Sequence, residues 1–122
     1  MNIKVRKRWI MAVGVAIMIL GLIHVLSAFV FYKNLDRLLL PSLFMFVSTG
    51  LAVILAGAVT VYCGKMVDRM AELATPLLRM VAAFFLLLAF GAIATMPTNP
   101  FAYIMVLLSL CLGIPVFAKA QE

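Results

Sequence analysis

The single histidine, His24, is the residue of this chain best suited to bind a ligand or carry a proton. It lies well inside an apolar run, and an ionisable side chain within a membrane span is a functional hypothesis by default. Neutral imidazole can also be satisfied by a hydroxyl or carbonyl of a neighbouring helix, so a structural role is the alternative. Together with hydroxyl side chains of other apolar runs it forms a candidate intramembrane polar site of His24, Ser48, Thr49, Thr60 and Ser109.

Haem ligation is the most specific chemistry that His24 allows. A b-type haem in a four-helix bundle takes axial ligands from facing helices, and Gly21, one turn before His24, would make room for the macrocycle. Because the chain has no second histidine, the sixth ligand would be a methionine or the His24 of another copy. Met105 lies about 8 Å inside the outer boundary and His24 about 10 Å inside it. His24 and Met105 are therefore the candidate haem ligands, although methionine is also a common filler of gaps.

The basic residues predict contact with lipid headgroups. The net charge is +6, but the cationic side chains lie in short pieces between apolar runs, where the phosphate they can reach is that of a bilayer surface. Nucleic acid is therefore not expected as a partner. Arg79, near one end of its run, is expected to extend its side chain to the headgroups. The candidate headgroup contacts are Lys4, Arg6, Lys7, Arg8 and Arg79.

Patterns typical of enzymes and metal sites are absent from the sequence. No carboxylate falls within an apolar run, and the chain contains no HExxH, GxSxG or phosphate-binding glycine loop. The two cysteines, Cys63 and Cys111, lack CxxC spacing and are interpreted as free thiols. We therefore expect a protein that is not an enzyme and that binds no metal ion through these residues.

Four apolar runs must position these side chains, and each is long enough to cross a bilayer. Of 122 residues, 67% are hydrophobic and 11% charged. The runs cover residues 9–31, 41–63, 76–96 and 100–118, and a hydrocarbon core about 30 Å thick needs a helix of about 20 apolar residues. Continuous hydrophobicity favours helices over a barrel. The sequence predicts one all-α membrane domain, residues 1–122, folded as an antiparallel bundle of four transmembrane helices.

Prolines and their neighbours predict where helices begin and end. Pro76 and Pro100 suit a first helical turn, in which no amide donor is needed, and Thr75 and Asn99 just before them can act as N-caps. Pro115 is expected to kink or end the last turn of the fourth helix.

The distribution of Lys and Arg predicts the orientation. Eight basic residues would lie on the side of the termini, against only Lys33 and Arg37 on the other. Basic connections stay in the cytoplasm, so both termini are predicted to be cytoplasmic in an inner-membrane protein. The basic N-terminus, followed by an apolar run without a clear cleavage site, is typical of a retained signal anchor.

Small residues at helical spacing predict the faces through which the helices pack, because apolar side chains gain little by leaving lipid for one another. The candidate packing residues are Gly14, Gly21, Ala28, Ala52, Ala56, Ala82, Ala89 and Gly113. These faces favour a protein that acts through helix association, as a homo-oligomer or as an accessory subunit beside a larger membrane protein.

Two further functions stay open from the sequence. One is a small transporter or ligand carrier with an internal cavity and a polar site at His24; the other is an electron-transfer subunit that binds haem b. In length and helix count the chain resembles the small multidrug resistance transporters, a resemblance that implies a four-helix dimer. Those transporters couple export to protons through a glutamate in the first helix, where this chain has His24 and no acid.

Overall fold

Four α-helices make up the described part of the chain, residues 1–31 and 40–118 of a computed structural model. They are α1 (Ile3–Phe31), α2 (Leu40–Met66), α3 (Ala71–Thr95) and α4 (Pro100–Phe117). Neither of the two described ranges contains a strand. All four helices are long and apolar enough to span a membrane, so the predicted all-α class with four such helices is confirmed.

The basic N-terminal segment belongs to α1, which begins about two turns earlier than predicted. Asn2 precedes the helix, and its side-chain oxygen accepts a hydrogen bond from the backbone N–H of Lys4 at 2.9 Å. This bond satisfies one of the amide donors left free at a helix start. The cationic residues after Asn2 therefore lie on a helix rather than on a disordered leader.

The start of α3 also differs from the prediction. The helix begins at Ala71, with no side-chain cap at its N-terminus, and Pro76 lies inside it. Proline is tolerated there because it removes only the hydrogen bond to the carbonyl of Glu72, an exposed residue on which water can replace the lost donor. The expectation that Thr75 caps a helix starting at Pro76 was therefore wrong.

The start of α4 follows its local chemistry. The side chain of Asn99 accepts a hydrogen bond from the backbone N–H of Phe101 at 3.0 Å, and Pro100 occupies the first helical position. The predicted cap at Asn99 is confirmed. Pro115 lies in the last turn, and the helix ends at Phe117.

The helices form a square in which sequence neighbours are adjacent. α1 packs against α2 and α4, and α3 packs against the same two helices; across the diagonals, no two α-carbons of the described helices lie within 8 Å of each other. Four side chains in the core have no exposed surface: Ile17 of α1, Leu78 and Phe85 of α3, and Leu112 of α4.

Glycines spaced seven residues apart bring α1 and α2 together in antiparallel fashion. A β-carbon added at Gly14 would lie 3.0 Å from the carbonyl oxygen of Gly57, and one at Gly21 would lie 2.8 Å from that of Gly50. Each glycine thus faces the backbone of the other helix, at a separation that no side chain permits. Seven residues are close to two turns, so the glycines of each helix share one face.

The remaining predicted packing residues differ in burial. Those with less than a tenth of their surface exposed are Ala28, Ala56, Ala82 and Ala89. Ala52 and Gly113 are half-buried, and a β-carbon at Gly113 would meet only the ring of Phe117, at 3.8 Å.

The two ends of the bundle are packed differently. We call the end with the N-terminus of α1 and the α2–α3 connection the base, and the end with the α3–α4 connection the open end. Near the base, Thr60 and Cys63 of α2 and Val67 just after it are buried at 2% exposure or less. Toward the open end, residues 41–49 of α2 and 90–95 of α3 include no buried residue. Burial on α2 and α3 therefore stops short of the open end, at Gly50 and Ala89.

Candidate functional site

A cavity of about 390 Å³ lies between the four helices, toward the open end. Its volume falls within the range of about 300–1,000 Å³ that is typical of small-molecule sites. Most of its lining is apolar, and every helix contributes to it. The polar residues of the lining are His24, Ser42, Thr49 and Asn99.

His24 is held in this cavity by two aromatic rings. Its imidazole stacks on Phe46 of α2, with ring centroids 4.0 Å apart and planes inclined by 13°. The ring of Phe101 from α4 meets it edge-on, at 5.3 Å and 80°. These contacts from two other helices fix the plane of the imidazole and therefore the direction of its nitrogens.

Nε2 of His24 is buried, with almost no accessible surface, and finds no hydrogen-bond partner among the described residues. A buried polar nitrogen without a partner costs about 1–3 kcal/mol. A ligand group that reached Nε2 after a small movement of the surrounding side chains would remove this cost.

The hydroxyl residues predicted to join His24 separate into two groups. Thr49 lines the cavity, and its hydroxyl donates at 2.8 Å to a carbonyl of its own helix, so it remains an acceptor toward the cavity. Ser48, Thr60 and Ser109 are not part of the lining. Thr60 lies eleven residues further along α2, about 16 Å nearer the base. The buried hydroxyl of Ser109 has no hydrogen-bond partner among the described residues.

The candidate haem ligands share this cavity, but the space predicted for the macrocycle is filled. His24 and Met105 both line the cavity, and Met105 is only 6% exposed. Gly21, however, faces the backbone of α2, since a β-carbon there would lie 2.8 Å from a carbonyl oxygen of that helix. The interpretation that Gly21 makes room for a haem was therefore wrong. The lining residues include no Lys or Arg that could pair with the haem carboxylates.

Two side chains of α1 donate hydrogen bonds to carbonyls in the last turns of α4, near the base. Pro115 has no N–H, so the carbonyl of Cys111, four residues earlier, loses its helical partner. Trp9 Nε1 donates to that carbonyl at 2.8 Å. Arg6 Nε donates at 2.8 Å to the carbonyl of Pro115, which lies in the last turn and has no helical donor. Arg6 is only 5% exposed, so in the structure its side chain is covered by the protein.

The other predicted headgroup contacts lie on the same end of the bundle. Lys7 Nζ forms an ion pair with Asp68 at 2.8 Å, and the hydrogen bond from Lys7 lowers the pKa of that carboxyl below its usual value. The guanidinium of Arg79 lies 5.5 Å from the centre of the Phe117 ring, a cation–π distance. Lys4 and Arg8 are exposed, and their contact with headgroups stays a prediction.

The thiols are not part of the cavity. Cys63 is buried and Cys111 half-buried, and both are free. Across residues 1–31 and 40–118, no three His, Cys, Asp or Glu side chains are grouped so that they could hold a metal ion.

Comparison with protein families, with characterised proteins and with solved structures finds no significant match for this chain. Inference about its function therefore starts from the cavity and its lining.

Proposed function

We propose that this chain is an integral membrane protein that binds a small, mostly apolar ligand in the cavity beside His24. Its four long apolar helices expose large apolar side chains on all sides of the bundle, among them Phe29, Leu55, Leu87 and Leu107. Such a surface is stable in hydrocarbon and would drive aggregation in water.

Both termini are proposed to lie in the cytoplasm. Every described Lys and Arg lies at or near the base, while Lys33, Arg37 and Lys119 fall outside the described residues. The positive-inside rule places such an end on the cytoplasmic side. The cavity then lies in the outer half of the membrane.

The observation that carries the ligand proposal is a cavity lined by His24, whose buried Nε2 has no hydrogen-bond partner among the described residues. A polar nitrogen of this kind favours a ligand with a hydroxyl or amide group, and Thr49 is a second polar residue of the same lining. The apolar remainder of the lining favours an otherwise hydrocarbon-like molecule. Ligand binding of this kind is compatible with a carrier or with a subunit that responds to a ligand. A role of His24 in transport stays a prediction from the sequence.

Native mass spectrometry of the full chain, purified in a mild detergent, tests this proposal. We expect a co-purifying molecule on the wild-type protein and a clearly lower occupancy in His24→Leu, because losing a hydrogen bond in an apolar site weakens the affinity by about tenfold. Ser27→Leu is the matched control, since it replaces another polar residue of α1 that does not line the cavity. Equal occupancy in the folded His24→Leu protein, or no bound molecule in the wild type, would overturn the proposal.

A haem-binding electron-transfer subunit is the second candidate, because His24 and Met105 line one cavity. An absorbance spectrum of the same samples separates the two candidates. A Soret band that is lost in both His24→Leu and Met105→Leu would favour haem. A colourless wild-type protein after haem has been supplied would remove this candidate.

Action through association, with a second copy or with a larger membrane protein, stays a prediction from the sequence. The exposed apolar faces of α3 and α4 suit lipid as well as they suit a protein partner.

A further inference from the structure

The polar residues of the cavity lining all lie nearer the open end than the deepest residues of the lining, which are apolar. Ser42 lies two residues into α2 and Asn99 caps α4, so both belong to the open end. Leu20 and Val53 line the opposite end of the cavity, about 17 Å and 20 Å along their helices from the open end. A lipid-like amphiphile in one leaflet has the same order, with its polar group at the interface and its chain toward the middle.

The wall of the cavity is incomplete between α2 and α3. Met45 and Gly91, one from each helix, line the cavity, and both residues are exposed. A β-carbon at Gly91 would meet nothing within 4 Å. We call this opening, between Met45 and Gly91, the α2–α3 gap.

The position of the gap decides which phase it opens to. Met45 and Gly91 lie inside the apolar spans Pro41–Met66 and Ala71–Thr95, about one turn from the open end of each helix. A lateral opening at this depth faces the outer acyl chains of a bilayer. A ligand that passes through it comes from the membrane and not from water.

We infer that the cavity receives a single-chain amphiphile from the outer leaflet through the α2–α3 gap. The hydroxyl or amide group of the amphiphile lies beside His24, on the side of Ser42 and Asn99, and its chain extends toward Val53. The volume of about 390 Å³ holds roughly a dozen groups of the size of water or a methylene, at ~30 Å³ each. This inference rests on the proposed ligand site and adds the class of ligand and its route.

The test uses a fluorescent reporter inside the cavity and a defined amphiphile. Trp9→Phe removes the single tryptophan, and Phe46→Trp places a new one against His24. The full chain is reconstituted in phosphatidylcholine vesicles, and 2-bromoundecan-1-ol, whose bromine lies next to the hydroxyl and quenches a nearby tryptophan, is mixed in. We expect saturable quenching of the reporter, with an affinity several-fold lower when His24→Leu is added.

Gly91→Leu tests the route, because its side chain would fill the α2–α3 gap without displacing a neighbour. We expect the rate of quenching to fall several-fold, while Ala94→Leu, an exposed residue of α3 outside the lining, leaves the rate unchanged. Saturable, His24-dependent quenching at equal rates in both variants would overturn the lateral route and leave the ligand site standing. Quenching that does not saturate, or that ignores His24→Leu, would overturn the ligand site as well.

Discussion

Gly21 and Gly91 are chemically identical and lie in opposite surroundings. A β-carbon at Gly21 would lie 2.8 Å from the backbone of α2, whereas one at Gly91 would meet nothing within 4 Å. Gly21 therefore sets the distance between two helices. Gly91 leaves the wall of a cavity open and contributes nothing to packing.

The two glycines should respond in opposite ways to alanine. Gly21→Ala forces α1 and α2 apart and should lower the free energy of unfolding by about 1–3 kcal/mol. Gly91→Ala should raise it by up to about 1 kcal/mol, because alanine is the better helix former. Equilibrium unfolding in detergent micelles measures both values, with Leu22→Ala, at a side chain 51% exposed, as the control. If the two glycine variants shifted stability in the same direction, the assigned α1–α2 interface would be wrong.

At the scale of the helix, α4 depends on α1 for its last turn. The bond from Trp9 to the carbonyl of Cys111 occupies the position of the N–H that Pro115 lacks. Replacing Pro115 with alanine supplies that N–H from within α4. The Trp9 bond should then matter less.

A double-mutant cycle measures this dependence. Trp9→Phe should lower the free energy of unfolding by about 0.5–1.5 kcal/mol in the wild type, since a carbonyl loses its donor. In the Pro115→Ala protein the same change should cost clearly less, so the two substitutions should be coupled. Strictly additive effects of the two substitutions would mean that the indole does not replace the missing donor.

The start of α4 was predictable because its cap and proline are neighbours in sequence, whereas α3 has no such cap. The first turn of α3 could not be predicted from Thr75 and Pro76. A proline is also tolerated in the second turn of a helix when the carbonyl that loses its donor is exposed to water. The seven-residue spacing of Gly50, Gly57 and Gly64 indicates the face of α2 that meets α1. The prediction relied instead on the hydroxyl and alanine residues of α2, which lie on another face. That other face, with Ala56 and Thr60, is buried as well.

At the scale of the molecule, hydropathy alone predicts four spanning helices, because each run fills a bilayer. The cavity could not be predicted in the same way. It is the volume left where side chains from four helices fail to meet, and it depends on separations that no single segment specifies. His24 lies three residues after Gly21 and four before Ala28, so helical spacing predicts that it faces the other helices, but no spacing rule indicates Phe46 and Phe101 as the rings that hold it.

Orientation is a property of the whole molecule and has a direct test. In a protein whose two native cysteines are replaced by alanine, Thr98→Cys in the α3–α4 connection should react with a membrane-impermeant maleimide applied to intact cells. Arg69→Cys in the α2–α3 connection should react only after the cells are opened, because the basic end stays inside. The reverse pattern would place the base, and with it both termini, outside.

The glycine contacts between α1 and α2 also determine where the molecule can deform. The close backbone approach at these glycines leaves α1 and α2 little freedom to shift against each other, so we expect the two helices to move together. Any relative displacement is then concentrated on the opposite boundary, between this pair and α3–α4. Because the vacant volume lies on that boundary, bilayer thickness or lateral pressure that shifts one pair against the other changes the room offered to an occupant.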